Sequence, residues 1–469
     1  MEIPKTWAKW IWGLIALIAS VLVWIVPGTG DGGDSIQHFL TAKYAFQYPA
    51  FFFDLWAKPI YMFFAAPISQ LGFRALMLGN VWLGLGSAWL IYRCAERCDL
   101  KASVWGIVFL FSVSGLVPLL YSGLTEPIFG FVLMLSVYFA LGERLVLSVI
   151  IISFLPFVRN EGWAIVAVYL VFLSLRQEWR KLPLLTLGAI VTSLLGMPFQ
   201  RQWNWIYTKI PDFGGQASYG EGSFFHFFNK LNYVIGIPLY GLLIIGGIAL
   251  VYSIFRSAER EKIKHWFTFL WLVAGSYSAY FLAHSLAWWL PGLKSMGLER
   301  VLVGTIPLAI LVALYGFQFL LSFLPSNWQK GTGLAIAAYV VVFPFTANPA
   351  AYNWEKDFQL SPDQVMIAEA EVFLSEKYAE AVWYHEHPYL NFLAQRNPFD
   401  AQAYHRILTV KDYSALASGT VIVWDSWFAV VEGLESLENL RNQPDLEEVR
   451  VIRHPDESID VQVVVFVRK

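Results

Sequence analysis

Apolar runs of membrane-spanning length constrain this chain more than any other feature. A helix of roughly 17–25 apolar residues crosses the hydrocarbon core of a bilayer while making every backbone hydrogen bond internally. Eleven stretches are candidates: 8–27, 75–95, 103–121, 125–142, 144–158, 162–176, 183–200, 232–255, 266–288, 301–323 and 331–347, of which the fifth and sixth are short and read as a tight hairpin pair or one region broken at "FVRNEG". Composition agrees that lipid is the main solvent, since 57% of the residues are hydrophobic and 14% charged, against about a quarter charged in soluble domains. Mean hydropathy is +0.52. Lysines precede the first run, as in a signal peptide, yet it leads into "VPGTGDGG" with no small-residue cleavage site, so it reads as a retained anchor. Segment 59–72 is shorter and carries Pro59 and Pro67, and is expected to lie at the interface or re-enter.

Several function classes fall away at once. A net charge of −2 with no long basic run offers nothing to nucleic acid. Neither a dinucleotide glycine fingerprint nor a P-loop occurs, so a nucleotide-driven reaction lacks a site. Cys94 and Cys98 fall on one helix face at an expected cytosolic end, where thiols stay reduced.

Orientation follows from the basic residues. With the N-terminus cytoplasmic, alternate short loops hold Arg93, Arg97 and Lys101, then Arg144, then Arg176, Arg180 and Lys181, then Arg256, Arg260, Lys262 and Lys264, then Lys330. Such clusters stay in the cytoplasm. The opposite face then receives the long first outer loop 28–74, the "RNEG" turn, loop 201–230 and everything after about residue 350. The expected class is an α-helical polytopic membrane protein of about eleven transmembrane helices over residues 1–350. A small C-terminal α/β extracytoplasmic domain follows over 351–469. There helix-like "DQVMIAEAEVFLSEKY" alternates with strand-like "EAVWYH", "TVIVWDSWF", "EVRVIRH" and "IDVQVVVFVRK". The short loops fit a bacterial inner membrane.

Chemistry concentrates where the first span ends. "VPGTGDGGDSIQHFL" places Asp31 and Asp34 in a glycine-rich turn, with His38 one helical turn beyond Asp34. A carboxylate there reaches a substrate at the membrane surface without full burial in lipid. The loop continues through Asp54, Trp56 and Lys58 among aromatics that favour the headgroup level. Further outer-side features are "SGLTEPIFGF" with Glu126, "FVRNEGW" with Arg159 and Glu161, and "GLERVLVGTIPL" with Arg300.

This arrangement resembles the GT-C superfamily of integral-membrane glycosyltransferases, which includes protein O-mannosyltransferases, lipid A aminoarabinose transferases and GPI mannosyltransferases. The resemblance covers about residues 8–347. It implies an inverting transferase that moves a mannose-like sugar from a polyprenyl-phosphate carrier to an acceptor hydroxyl on a lipid, glycan or protein. The acid opening the first outer loop would be the general base, which maps to Asp34 first and Asp31 second. In place of the family's common Asp-Glu pair, Asp34 is followed by Ser35. Positive charge for the departing phosphate would come from Arg300, Arg159 and Lys58, with Arg201 and Lys294 also on that side. His38, Asp54, Glu126 and Glu161 complete the candidate site. No cofactor is required by this chemistry; a divalent metal could supplement the cations, but no ligand cluster demands one.

Each feature has a structural alternative. Glu126 before Pro127 suits a helix start, Arg159 and Glu161 suit an ion pair closing a turn, and Arg300 with Glu299 suits an interfacial anchor. The imidazoles of "HEH", His385 to His387, read as ordinary surface histidines, and His284 as a buried hydrogen-bonded residue. A transporter or flippase of lipid-linked sugars is the competing function, though it would carry repeat symmetry or broken midplane helices. A scaffold whose outer domain binds partners is a third. The outer domain is expected to supply fold and acceptor contacts but no base.

Orientation is tested by labelling intact cells. A cysteine placed near Ser326 should be shielded from an impermeant thiol reagent and one near Ser436 labelled; the reverse pattern would place the acids in the cytoplasm.

Overall fold

The computed structural model describes residues 5–209, 222–290, 295–402, 404–456 and 458–469. Among them, five helices are long and apolar enough to cross a membrane: Phe73–Arg97, Trp179–Gln200, Ile237–Phe255, Trp266–Trp289 and Glu299–Ser322. Shorter apolar helices occupy Thr6–Leu22, Pro59–Ser69, Glu126–Leu141, Leu145–Phe157 and Gly162–Leu175. Helix Ser326–Val342 stands at the last expected span.

Two expected spans differ. Run 103–121 is not one helix but two short ones, Trp105–Leu110 and Leu116–Leu120. Its broken backbone is satisfied inside the protein: Gly115 N donates to Val234 O at 2.8 Å, and Ser114 Oγ donates to Ala350 O at 2.6 Å. Irregular backbone at membrane depth is tolerated only when buried in this way. Run 232–255 is interrupted at Gly236, whose φ of 86° ends helix His226–Ile235 before Ile237–Pro238 opens the next.

Helix Ile306–Ser322 forms the axis of the bundle, with every residue from Ile306 to Phe317 buried. A helix apolar on all sides belongs at a centre. It packs on Ile237–Phe255 at two glycines, where a Cβ on Gly246 would collide with the Val312 carbonyl and one on Gly316 with that of Leu242. Close backbone approach at small residues is how helices associate where lipid removes the hydrophobic drive.

The C-terminal part folds as the expected small mixed unit of helices and strands. Four strands, β1 (Trp383–Tyr384), β2 (Val421–Asp425), β3 (Leu446–Arg453) and β4 (Gln462–Arg468), form a mixed sheet in the order β1-β2-β4-β3. β1 pairs parallel to β2, and β4 is antiparallel to both neighbours, with Trp424 opposite Val464. β2 is buried throughout, and helix Pro362–Lys377 covers one face. Apolar contacts run without a break from the bundle into this sheet, through Tyr121, Phe358, Ile367 and Val465. The loop helices dock on it too, with Phe39 edge-on to Phe392 at 5.7 Å.

Gly246→Ala should lower the melting temperature in detergent, since overpacking costs about 1–3 kcal/mol. Gly247→Ala, with nothing within 4 Å of the new methyl, should leave it unchanged or raise it through helix propensity. Equal melting of the two variants would refute the tight crossing.

Candidate active site

The turn after the first helix is built from glycines because other chain segments crowd it. Gly30 has φ 85°, and a Cβ there would strike Ser122. Asp34 then opens helix Asp34–Tyr44, where a carboxylate complements the helix dipole. Asp31 Oδ1 accepts from Ser35 N at 2.9 Å and Gly33 N at 3.2 Å, covering the free amides of the same helix start.

The facing turn Ser122–Thr125 is held just as firmly. Asn80 Nδ2 donates to Ser122 O at 2.7 Å and Leu124 O at 3.0 Å, Gly123 N donates to Ser35 Oγ at 2.7 Å, and the Tyr61 hydroxyl donates to Gly123 O. This fixes Glu126 at the start of its helix.

Two arginines organise the acids. Arg300, from the turn Glu299–Thr305 at the head of the central helix, forks between Asp31 and Asp34, giving one nitrogen to each. Arg159, from the "RNEG" turn, bridges Glu126 at 2.8 Å and Glu161 at 3.0 Å and donates to Thr125 Oγ1 at 2.9 Å. The interfacial-anchor alternative for Arg300 is therefore not what the fold uses; Glu299 pairs instead with Lys230 at 2.9 Å. Glu126 Oε2 and Arg159 Nε are buried without a hydrogen-bond partner among the described residues. Behind them Tyr280 donates to Val301 O at 2.9 Å, and His284 lies edge-on to Tyr280 at 4.6 Å. His284 is buried as expected, but its Nε2 finds no partner among the described residues.

Lys58 stands apart from these pairs. It has φ 68° immediately before Pro59, a conformation that costs a lysine of order 1–3 kcal/mol. Its Nζ donates to Leu55 O at 3.1 Å, and among the described residues no carboxylate lies within ion-pair distance. Among the described residues its ammonium is thus the cation of the cluster without a carboxylate partner. His38 is buried, stacked on Trp56 at 4.5 Å and edge-on to Tyr61 at 5.4 Å. Asp54 does not join the acids: its Oδ1 accepts from Trp56 N at 2.7 Å and Ala57 N at 2.8 Å, shaping the approach to Lys58. Arg201 ends helix Leu187–Gln200 in an exposed position and pairs with none of the cluster among the described residues. Lys294 and residues 210–221 of the aromatic loop lie outside the described residues.

Exposure and electrostatics separate the two aspartates. The Asp34 side chain is 48% exposed and that of Asp31 15%. Burial pushes Asp31 up to about 6, with Arg300 opposing and the Asp34 charge adding. Burial would raise Asp34 as well, but Arg300 outweighs it and holds the carboxyl below its ordinary value. Burial lowers Lys58 to about 8 against the pull of Glu161, and lowers His38 to about 3, so the imidazole is neutral. Glu161 is held down at about 2 because Arg159 overcomes its burial.

The C-terminal domain reaches into this turn, a contact the sequence did not reveal. Gln364, fully buried at the start of helix Pro362–Lys377, donates from Nε2 to Asp31 O at 3.1 Å, Gly32 O at 3.2 Å and Thr29 Oγ1 at 2.9 Å. A Cβ on Gly32 would sit 3.2 Å from Asp363 Oδ2, and the same carboxylate takes His387 Nε2 at 3.0 Å. The "HEH" residues are accordingly not surface histidines: His385, Glu386 and His387 are all buried behind β1. The only hint in the sequence was Ser361-Pro-Asp-Gln364, a helix-start pattern. Among the described residues no group of three or more His, Cys, Asp or Glu side chains is placed to hold a metal.

A first helix, a loop of short helices carrying acids, a helical bundle and a small C-terminal sheet domain together are similar in fold to a solved structure. Over 99% of its length the chain matches the crystal structure of ArnT from Cupriavidus metallidurans bound to undecaprenyl phosphate, covering 98% of that chain with a TM-score of 0.62 at 12% identity. The apo state of the same ArnT matches over 98% of both chains with a TM-score of 0.60 at 12% identity. No protein-family model and no curated protein sequence matches.

Gln364→Ala removes the amide that ties the outer domain to the acid turn. At about 1 kcal/mol per lost hydrogen bond, amide exchange over residues 29–35 should rise by roughly an order of magnitude or more. Unchanged exchange there would show that the turn holds its shape without the outer domain.

Proposed function

We propose that this protein transfers a sugar, of the mannose-like class expected above, from a polyprenyl-phosphate carrier to an acceptor hydroxyl at the outer membrane face. The observation that carries this reading is the fork of Arg300 between a buried and a half-exposed aspartate, opening the first outer loop of an ArnT-like fold. Residues 1–350 hold the chemistry, and 351–469 shape and brace its mouth.

Asp34 is the base. It is the accessible carboxylate, ionised through the neutral range, and only its Oδ2 is engaged by Arg300 among the described residues. Both oxygens of Asp31 are occupied, which suits it to hold Arg300 and the turn in place. The acceptor oxygen gives its proton to Asp34 and bonds to the anomeric carbon. The bond from that carbon to the phosphate oxygen breaks on the opposite face, and its electron pair leaves with the polyprenyl phosphate. One displacement at one carbon inverts it.

Lys58 takes the phosphate. Among the described residues it is the cation of the cluster without a carboxylate partner, whereas Arg159 and Arg300 are each shared between two acids and add their field from behind. A strained backbone that aims an unpaired, partly desolvated ammonium is the form such a site takes.

With purified protein, Asp34→Asn should cut turnover by roughly two to four orders of magnitude while undecaprenyl phosphate still binds. Lys58→Met should weaken that binding and leave the fold intact. Full turnover in Asp34→Asn would sink the assignment of the base. The pH profile adds a second check: as pH falls through about 6, Asp31 takes a proton, Arg300 is left to Asp34 alone and draws it from the acceptor. Turnover should fall on that acid limb, and the limb should move or vanish in Asp31→Asn.

A further inference from the structure

A second charged cavity lies at the other end of the bundle. Helix Glu126–Leu141 runs from Glu126 in the acid–arginine cluster to Ala140 on the cavity wall, and helix Gly162–Leu175 runs from Glu161 to Arg176 in the same sense. At 1.5 Å per residue the two sites are about 20 Å apart along the helix axes. The cavity has a volume of about 730 Å³, and its charged rim is Glu143, Arg144, Arg176, Glu178, Lys181 and His265. The basic clusters of the sequence place this end at the cytoplasmic surface.

The rim charges do not cancel. Lys181 is committed to Glu178, and His265 Nδ1 lies 4.0 Å from Glu143, whose side chain is 81% exposed. Arg144 and Arg176 have no carboxylate within ion-pair distance among the described residues. Arg176 leans on the Phe172 ring at 5.6 Å. Two unpaired guanidiniums facing one cavity favour a ligand with phosphate oxygens, which their planar forks can share.

One wall of the cavity is apolar. Val146 and Leu147 line it while remaining 48% and 39% exposed, and Ile150 continues the surface along the same helix toward the membrane interior. Trp179, 58% exposed in the adjoining turn, stands where aromatic side chains mark the headgroup level. The first turn of helix Leu145–Ser153 opens onto the cavity with no side-chain cap, so its free amides add to the positive field. A cationic rim above an apolar wall fits an amphiphile better than a soluble anion.

We propose that this cavity binds the headgroup of an anionic phospholipid of the cytoplasmic leaflet. The phosphate lies between Arg144 and Arg176, and an acyl chain lies along Val146, Leu147 and Ile150. The site is separate from the sugar-transfer chemistry and does not depend on it. Because two of the helices that wall it lead back to Glu126 and Glu161 of the acid–arginine cluster, an occupied cavity braces their far ends.

Native mass spectrometry of the full chain in detergent tests this with phosphatidylglycerol, phosphatidylcholine and, as the soluble headgroup probe, glycerol phosphate. Phosphatidylglycerol should be retained about tenfold or more over phosphatidylcholine, given the electrostatic contribution of two arginines at an anionic headgroup. Arg144→Gln with Arg176→Gln should abolish the preference. The charge-keeping pair Arg144→Lys with Arg176→Lys should retain most of it, which separates lost charge from lost fold. Equal retention of the two lipids, or a preference that survives the double glutamine variant, would overturn the proposal. So would glycerol phosphate displacing the lipid at equal concentration, since the site would then belong to a soluble anion.

Discussion

The interaction on which the rest depends is the sharing of Arg300 between Asp31 and Asp34. Charges beside a membrane interior are tolerable only when paired and hydrogen-bonded. Here a single guanidinium partners two carboxylates, and its partners differ in depth. That difference gives two chemically identical side chains different proton affinities, one raised by burial and the other held low by the arginine. Arg159 repeats the pattern with Glu126 and Glu161. The two forks set two guanidiniums against four carboxylates and leave Lys58, among the described residues, as the cation of the cluster without a carboxylate partner.

Around these forks the chain spends its most constrained backbone. The left-handed turn at Gly30, the positive φ of Lys58 and the hydrogen-bonded loop Ser122–Thr125 have no role in crossing a membrane. They bring three distant segments to one place. The buried amide of Gln364 and the Asp363–His387 pair close that place from the outside. The sheet domain is thus part of the wall of the site as well as a cover over it.

Much of this was legible in the sequence, and for identifiable reasons. Long apolar runs become helices because lipid offers the backbone no other partner, so most of the expected runs appear as helices, whereas 103–121 and 232–255 are interrupted. Run 103–121 failed because hydropathy cannot tell that Ser114 and Gly115 would find carbonyl partners across the fold. Asp31, Asp34, Glu126, Arg159, Glu161 and Arg300 stood out as charges at the ends of apolar runs, where charge is expensive. Which charge met which was not legible, since Arg300 and Asp31 are separated by 269 positions. Gln364 and His387 were missed because a buried polar residue in a small α/β domain has the same sequence neighbourhood as a surface one. Asp54 was read as a site acid because of its setting among aromatics, whereas its carboxylate is spent on the turn that leads to Lys58.

The distance in sequence between the acid turn and its supports has a consequence for how the protein comes into being. A chain made from its N-terminus delivers Asp31 and Asp34 first. Their arginine arrives 269 positions after Asp31, and the glutamine that clasps the turn arrives 333 positions after it. Domains fold as units as they emerge, but this centre belongs to no early unit. It stays unassembled until Arg300 has been inserted and the domain that carries Gln364 has docked. A chain terminated before Gln364 therefore carries the carboxylates without the amide that clasps their turn, so the site is complete only in molecules whose synthesis has passed that residue.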